Sequence, residues 1–351
     1  MNSSAVIDPT QTHEIVELKH QNPLTTLRVD PTGRYVAAGA QDLDVQLWNL
    51  DDGNHFTLAG HKSWVRSIDF SADGMLMYTA CWGGTIKIWD LSHEIPGMKR
   101  SFQAHQGAAR WVRLSTDGKR IATGGNDLLV KVWNAESGEL EQQFAGHERH
   151  VYGVDFHPDG EHLVSQDLIG KVFVWNLKTN KKQRTIDASV MTGYDKKFAA
   201  DMGGARDMQF NADGSLWASA GITKVVNSFA GIQDPIIVVF DWETGEAKRQ
   251  LRAAEKFKGV AWGVRFHSQG FTIGTGAEKG GKGEIWFYKD DQETVFHTHA
   301  MKSAARALDL VGNDRLAVAH ADGSVRLYRM TAKPNGTDDA PKATENTDGQ
   351  S

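Results

Sequence analysis

Short runs of alternating apolar and polar residues recur along the first half of the chain. The runs Val45-Gln-Leu-Trp48, Ile86-Lys-Ile-Trp89 and Val130-Lys-Val-Trp133 alternate in this way, and Val172-Phe-Val-Trp175, with Phe173 in the polar place, occupies the matching position. A period of two is the signature of a half-buried strand, not of a helix. Ahead of each lies a second apolar run: "YVAAGA", "LMYTAC", "RIATGG" and "HLVSQD". Ahead of that is a third, with Asp or a small polar residue at its end or one place before it: "LRVD", "SIDF", "VRLS" and "GVDF". The two are separated by Pro31-Thr-Gly33, Ala72-Asp-Gly74, Thr116-Asp-Gly118 and Pro158-Asp-Gly160. Glycine accepts positive φ, so such sequences favour tight hairpin turns. The same order of strands is therefore predicted four times over.

The spacing is steady. Histidines stand at positions 20, 61, 105 and 147, and tryptophans at 48, 89, 133 and 175, so both series step by 41, 44 and 42 residues. The order Gly-His, Asp-Gly, then Trp-Asp or Trp-Asn resembles the WD-repeat family. It is carried by Gly60-His61 to Trp89-Asp90 and by Gly146-His147 to Trp175-Asn176. Ala104-His105 to Trp133-Asn134 and His20 to Trp48-Asn49 are close variants. That repeat runs to about 40–45 residues and forms one four-stranded propeller blade. Three weaker copies follow: Ala205 to Asp241, Gly259 to Trp286 or Tyr288, and Ser303 to Tyr328. Seven copies imply an all-β fold, a seven-bladed propeller of four-stranded antiparallel blades. The last copy lacks an outer strand. By the resemblance, Thr12 to His20 supplies it and closes the ring, leaving only short, protected edges. The expected organisation is a flexible N-terminus over residues 1–11, one propeller over 12–330 and a disordered polar tail over 331–351.

Composition narrows the function classes. The 351 residues carry a net charge of -5, so global charge predicts neither nucleic-acid nor lipid binding. Cys81 is the only cysteine, which removes internal disulfides and cysteine-based metal sites and suits a reducing compartment. The first residues lack a basic segment followed by an apolar core, and no apolar run is long enough to span a bilayer. The default location is the cytoplasm, with the nucleus also open.

The repeated residues read as scaffold. The resemblance implies a buried hydrogen-bonded set in each blade: the Gly-His histidine, a Ser or Thr of the second strand, an Asp in the following turn and the Trp. His105, Thr123, Asp127 and Trp133 complete one set, and His147, Ser165, Asp167 and Trp175 another. His61 and Trp89 belong to a third, in which Gly83 stands where the Asp belongs. No nucleophile elbow or paired-carboxylate signature accompanies them, so no catalytic residue, cofactor or metal is assigned. Cys81, at a strand end, reads as structural. His297 and His299 lack a third ligand, and His299 is the counterpart of the Gly-His histidine. Gly274 to Gly283 reads as a long hairpin turn, because no helix follows it.

Specificity should lie in the residues that vary between copies. In a propeller of this family the residue after the first strand's leading apolar position faces the top surface and the channel mouth. Those residues are Thr25, Arg66, Arg110, Tyr152, Arg206, Trp262 and Arg306. Trp64 and Trp82 join them on that face. Two readings stand for the four arginines. They pair internally with Asp42, Asp127 and Asp322, or together they attract an acidic or phosphorylated ligand. Insertions add a second signal: Leu177 to Gly204, Ile222 to Pro235 and Ala277 to Glu284, expected on one side of the top face by blades five and six. They carry Met191, Tyr194, Phe198, Phe229 and the lysines 178, 181, 182, 196 and 197. The leading expectation is a non-enzymatic protein–protein interaction scaffold that uses no cofactor and is suited to being one subunit of a larger complex. The alternative is a small-ligand-binding or hydrolytic propeller with its site at the channel mouth. Binding of single-stranded nucleic acid through the Arg/Trp mixture is a third class, against which net acidity argues.

Overall fold

The computed structural model describes residues 6–227 and 232–333. It consists of seven four-stranded antiparallel sheets and one small hairpin. Six sheets take their strands in sequence order, from Leu24–Val29 through His55–Leu58 in blade one to Gly259–His267 through Val295–Met301 in blade six. Blade seven takes Ala305–Val311, Arg315–His320 and Ser324–Arg329 from the C-terminal side. Its outer strand is His13–Lys19, which pairs antiparallel with Ser324–Arg329. The N-terminal strand therefore closes the ring, as the resemblance implies. Asp8, Pro9 and Gln11 precede it in a 3-10 turn, where the Asp8 N–H donates to the Met330 carbonyl and Pro9 is buried. The tail from residue 334 onward and Phe229 lie outside the described residues. Among the described residues no helix is long and apolar enough to cross a membrane.

The first strands of successive blades pack against one another around the channel. Apolar side chains fill the space between neighbouring sheets; Trp111, Val130, Phe144, Val154, Phe173 and Trp175 lie in one such cluster. Each buried Trp removes roughly 150–250 Å² from water, an upper bound of about 4–6 kcal/mol.

One irregularity recurs and positions the site. At the head of six first strands the pairing register skips one residue: Thr25, Arg66, Arg110, Tyr152, Trp262 and Arg306. In blade five, Arg206 precedes the paired strand and its N–H donates to the Ala220 carbonyl. A bulge leaves its extra residue unpaired and re-aims the side chain. Here it turns six side chains toward the channel mouth, where they and Arg206 line one cavity.

Candidate functional site at the channel mouth

The mouth is a ring in which arginines alternate with aromatic faces. The Arg66 and Arg110 guanidinium carbons lie 5.7 and 6.0 Å from the Trp82 ring. Arg110 and Arg206 lie 4.1 and 5.3 Å from Tyr152. Arg206 and Arg306 flank Trp262 at 5.6 and 5.4 Å. All are within cation–π range. Gly204 makes this possible: its φ is +80°, and a Cβ there would sit 2.5 Å from the Tyr152 ring.

No carboxylate neutralises these arginines among the described residues. Asp42 is taken by His20 at 2.6 Å and Asn22 at 3.1 Å. Asp127 is taken by His105 and Lys131, and Asp322 by Arg326. The internal-pairing reading thus fails for all three aspartates, each held by a cation or imidazole of its own blade. Their polar partners are neutral: Arg110 Nε donates to Asn126 Oδ1 at 2.6 Å, and Arg110 and Arg206 share the Tyr152 side chain. Burial, with repulsion from Arg206, Arg110 and Arg306, pushes the Arg66 pKa down to about 10. Burial likewise lowers Arg110, Arg206 and Arg306. All remain charged at neutral pH.

Three residues further along the first strands, a second ring behaves differently. Arg28 lies 3.4 Å from Asp69 and 3.8 Å from Asp309. Arg113 lies 3.6 Å from Asp155 and 3.7 Å from Asp207. Arg265 bonds Asp309 at 2.6 Å and also binds Asp207. The aspartates stitch neighbouring blades as well, accepting the N–H groups of Leu114, Val264 and Val29 at 2.7, 3.0 and 2.9 Å. Burial opposes the charge of Arg265, yet Asp207 and Asp309 outweigh it and hold its pKa above the usual range. Burial raises Asp155 to about 6 against the pull of Arg113 and Arg28. Sequence reading missed this ring. Its signal is the recurrence of Arg28, Asp69, Arg113, Asp155, Arg265 and Asp309 three places after the mouth residues.

The repeated scaffold residues form hydrogen-bonded sets. His105 meets Asp127 at 2.7 Å and Thr123 at 2.8 Å, and Trp133 Nε1 donates to Thr123 at 2.9 Å. His147 meets Asp167 at 3.1 Å and Ser165 at 2.7 Å, and Trp175 donates to Ser165 at 2.7 Å. Asp167 reaches its histidine from the end of the second strand, not from the turn beyond it. In blade two His61 and Trp89 share Thr79 at 2.7 and 2.9 Å, but the buried Nδ1 of His61 has no partner. Gly83 offers it nothing.

Other expectations are corrected. His299 lies inside the outer strand of blade six, its ring 5.2 Å from Tyr328, so it is not the Gly-His counterpart. Register puts Tyr288, opposite Thr272, in the Trp position of blade six, as Trp133 stands opposite Ile121. Lys181–Asp187 is the outer strand of blade four, so Lys178, Lys181 and Lys182 leave the top-face insertion. Lys178 pairs with Glu161, and Lys182 sits 4.2 Å over Phe173. Met191 is fully buried. What remains of the insertion is the hairpin Gly193–Asp195 with Ala200–Met202, tied down by Arg149 to Asp201 at 2.8 Å. Tyr194 and Phe198 are 56% and 46% exposed there. Across the mouth Trp64 and Trp82, 37% and 42% exposed, pack together at 5.5 Å.

A family model for "WD domain, G-beta repeat" matches residues 12–49, 54–90, 97–134 and 138–176, the first four blades. The first four blades are WD repeats, and all seven complete a β-propeller. It is similar to Transcription initiation factor TFIID subunit 5 of Caenorhabditis elegans, 26% identical over 57% of this chain and 29% of the relative. It is also similar to Chromatin assembly factor 1 subunit FAS2 homolog of Oryza sativa subsp. japonica, 29% identical over 48% of this chain and 36% of the relative. A third relative is Lissencephaly-1 homolog of Caenorhabditis briggsae, 34% identical over 31% and 28%. The alignments span about a third of the length of these WD-repeat relatives.

Proposed function

We propose that this propeller is a non-enzymatic protein-interaction scaffold that takes an acidic or phosphorylated segment of a partner at its top face. One observation carries the reading: Arg66, Arg110, Arg206 and Arg306 converge on one mouth, and among the described residues none of them is paired with a carboxylate, since Asp207, which lines the same cavity, is held by Arg265 and Arg113. Converging, partly desolvated arginines are costly in the free protein and favour an anionic group that satisfies several donors at once. The exposed Trp64 and Trp82, with Tyr194 and Phe198 on the side of blades five and six, supply apolar anchors beside that charge. Two of the relatives are named as subunits of assemblies, which supports a protein partner and membership of a larger complex. The cytoplasm remains the proposed location, with the nucleus open.

The test is a quantitative affinity capture from native lysate. Wild type is compared with a folded variant carrying Glu at positions 66, 110, 206 and 306. Acidic proteins captured by wild type and lost by the variant support the reading; equal capture by both refutes it.

A further inference from the structure

The turn joining the first two strands of blade four differs from its equivalents in the other blades. In blades two and three this turn is built on Ser71 with Asp73 and Ser115 with Asp117, the hydroxyl donating to the Asp at 2.5 and 2.6 Å. Blade four has His157 and Asp159 at those places, and His162 where the others have Leu76 and Arg120. Asp159 Oδ1 still holds the turn, accepting the Glu161 and His162 N–H groups at 2.7 and 3.1 Å. Its Oδ2 is left facing two imidazoles, 2.7 Å from His162 Nδ1 and 2.9 Å from His157 Nδ1.

The hydrogen bonds fix which atoms are lone pairs. His157 Nε2 meets the Gly214 carbonyl at 3.1 Å, so Nε2 carries the proton and donates. The Asp159 N–H donates to His157 Nδ1 at 3.1 Å, so in the neutral ring Nδ1 is an acceptor. A second acceptor, the carboxylate oxygen, then stands 2.9 Å away with no proton between them. A cation placed among the three atoms relieves that conflict. His157 is also arranged as metal-bound histidines are, with its far nitrogen donating to a carbonyl. Its ring is buried and stacked on Trp242 at 4.3 Å, which fixes its direction. Blade six provides an internal control. His267 makes the same pair of bonds, to Asn313 O at 2.7 Å and from Gln269 N at 3.2 Å. There Gln269 and Thr272 replace the Asp and the second His, so the clamp between blades is kept without the ligand set.

We propose that His157 Nδ1, His162 Nδ1 and Asp159 Oδ2 form a binding site for a first-row divalent metal ion of the zinc class. It sits at the seam of blades four and five, at the end of the strands opposite the mouth. All three atoms lie within 4.8 Å of one another. Metal–ligand bonds of about 2.0–2.1 Å in tetrahedral geometry set ligands about 3.4 Å apart, so the site opens by roughly half an ångström on binding. Two imidazoles and one carboxylate suit zinc, nickel and copper over magnesium or calcium. The ion takes the Nδ1 lone pair of His162, whose ring proton is released from Nδ1 to solvent and replaced by one on Nε2, so the imidazole stays neutral, and the ion's remaining positions face solvent or a partner. The site is independent of the proposal for the mouth.

Isothermal titration of the full chain with zinc chloride tests it. Wild type is expected to bind one ion per chain at this site, His162→Gln to bind at least about tenfold more weakly, and the control His267→Gln to lose none of it. No binding by wild type up to millimolar zinc, or unchanged binding by His162→Gln, overturns the proposal. A second measurement needs no substitution: zinc should protect His162 from carbethoxylation mapped by mass spectrometry. An undiminished rate of modification at saturating zinc would likewise overturn it.

Discussion

Arg110 and Arg113 leave the same strand three residues apart and meet opposite surroundings. Arg113 sits between Asp155 and Asp207 in a ring where charges of both signs are interleaved. Arg110 shares Tyr152 with Arg206 and Trp82 with Arg66, all cations, and finds no carboxylate among the described residues. The lower ring satisfies itself. The upper ring is left with unmet charge. The difference shows how a propeller separates tasks along one strand: buried, compensated charge orders the blades, and uncompensated charge at the mouth is available to a ligand.

Substitutions should expose this contrast. Replacing Arg265 with Met leaves Asp207 and Asp309 facing each other without their cation, and should cost about 3–5 kcal/mol in a urea melt. Arg206→Gln at the mouth should cost nothing, because it removes a charge that repels Arg66 and Arg110. A comparable loss from both substitutions would erase the distinction between the rings.

The blades themselves allow a smaller comparison. Thr123→Ala removes the hydroxyl that His105 Nε2 and Trp133 Nε1 share, while Asp127 still holds His105 Nδ1, and should cost about 1–3 kcal/mol. Gly83→Asp runs the other way. Gly83 is not among the glycines with positive φ, and a Cβ there meets only Cys81 Sγ and Ser63 Cβ at 3.6 Å. The new carboxylate should reach His61 Nδ1 and Lys87, as Asp127 reaches His105 and Lys131, and raise stability by about 1 kcal/mol in the same melt.

Acidification gives the mildest effect. Burial, with Lys87 for His61 and Arg326 for His320, lowers each pKa from 6.5 to about 4. A histidine with a depressed folded pKa stabilises the fold above 6.5, and that stability is lost as pH falls from 6.5 toward 4. Asp155, raised from 3.8 to about 6, acts in the opposite sense over much of the same window. Two histidines against one aspartate leave a net uptake of about one proton on unfolding. Urea stability should therefore decline between pH 7 and 5, and a rise over that interval would show that the burial of His61 and His320 is misjudged.

Much of the fold was legible because a propeller must repeat its turns and strand periods, and glycine and tryptophan mark them. The closing strand His13–Lys19 was legible for a related reason: blade seven had no outer strand of its own. The lower ring was not. In a regular strand, residues three apart point to opposite sides, so Arg110 and Arg113 do not read as neighbours in one channel. The bulge at Arg110 reverses that alternation, and no residue type announces it. The insertion assigned to blade five, Leu177 to Gly204, was drawn too long because the outer strand of blade four, "KKQRTID", is polar and lacks the apolar pattern of the inner strands. Outer strands touch one neighbour only, so their sequences are weakly constrained.

The central claim is that the mouth arginines carry charge the protein does not itself satisfy. Its most direct measurement is the thermal midpoint of the full chain and of Arg66→Gln/Arg206→Gln at low salt, with and without sodium tripolyphosphate. The account predicts that the variant melts no lower than wild type, and that tripolyphosphate raises the wild-type midpoint but not the variant's. A variant that melts several degrees lower, with the polyanion raising both proteins equally, would make these arginines internal structural partners and contradict the account.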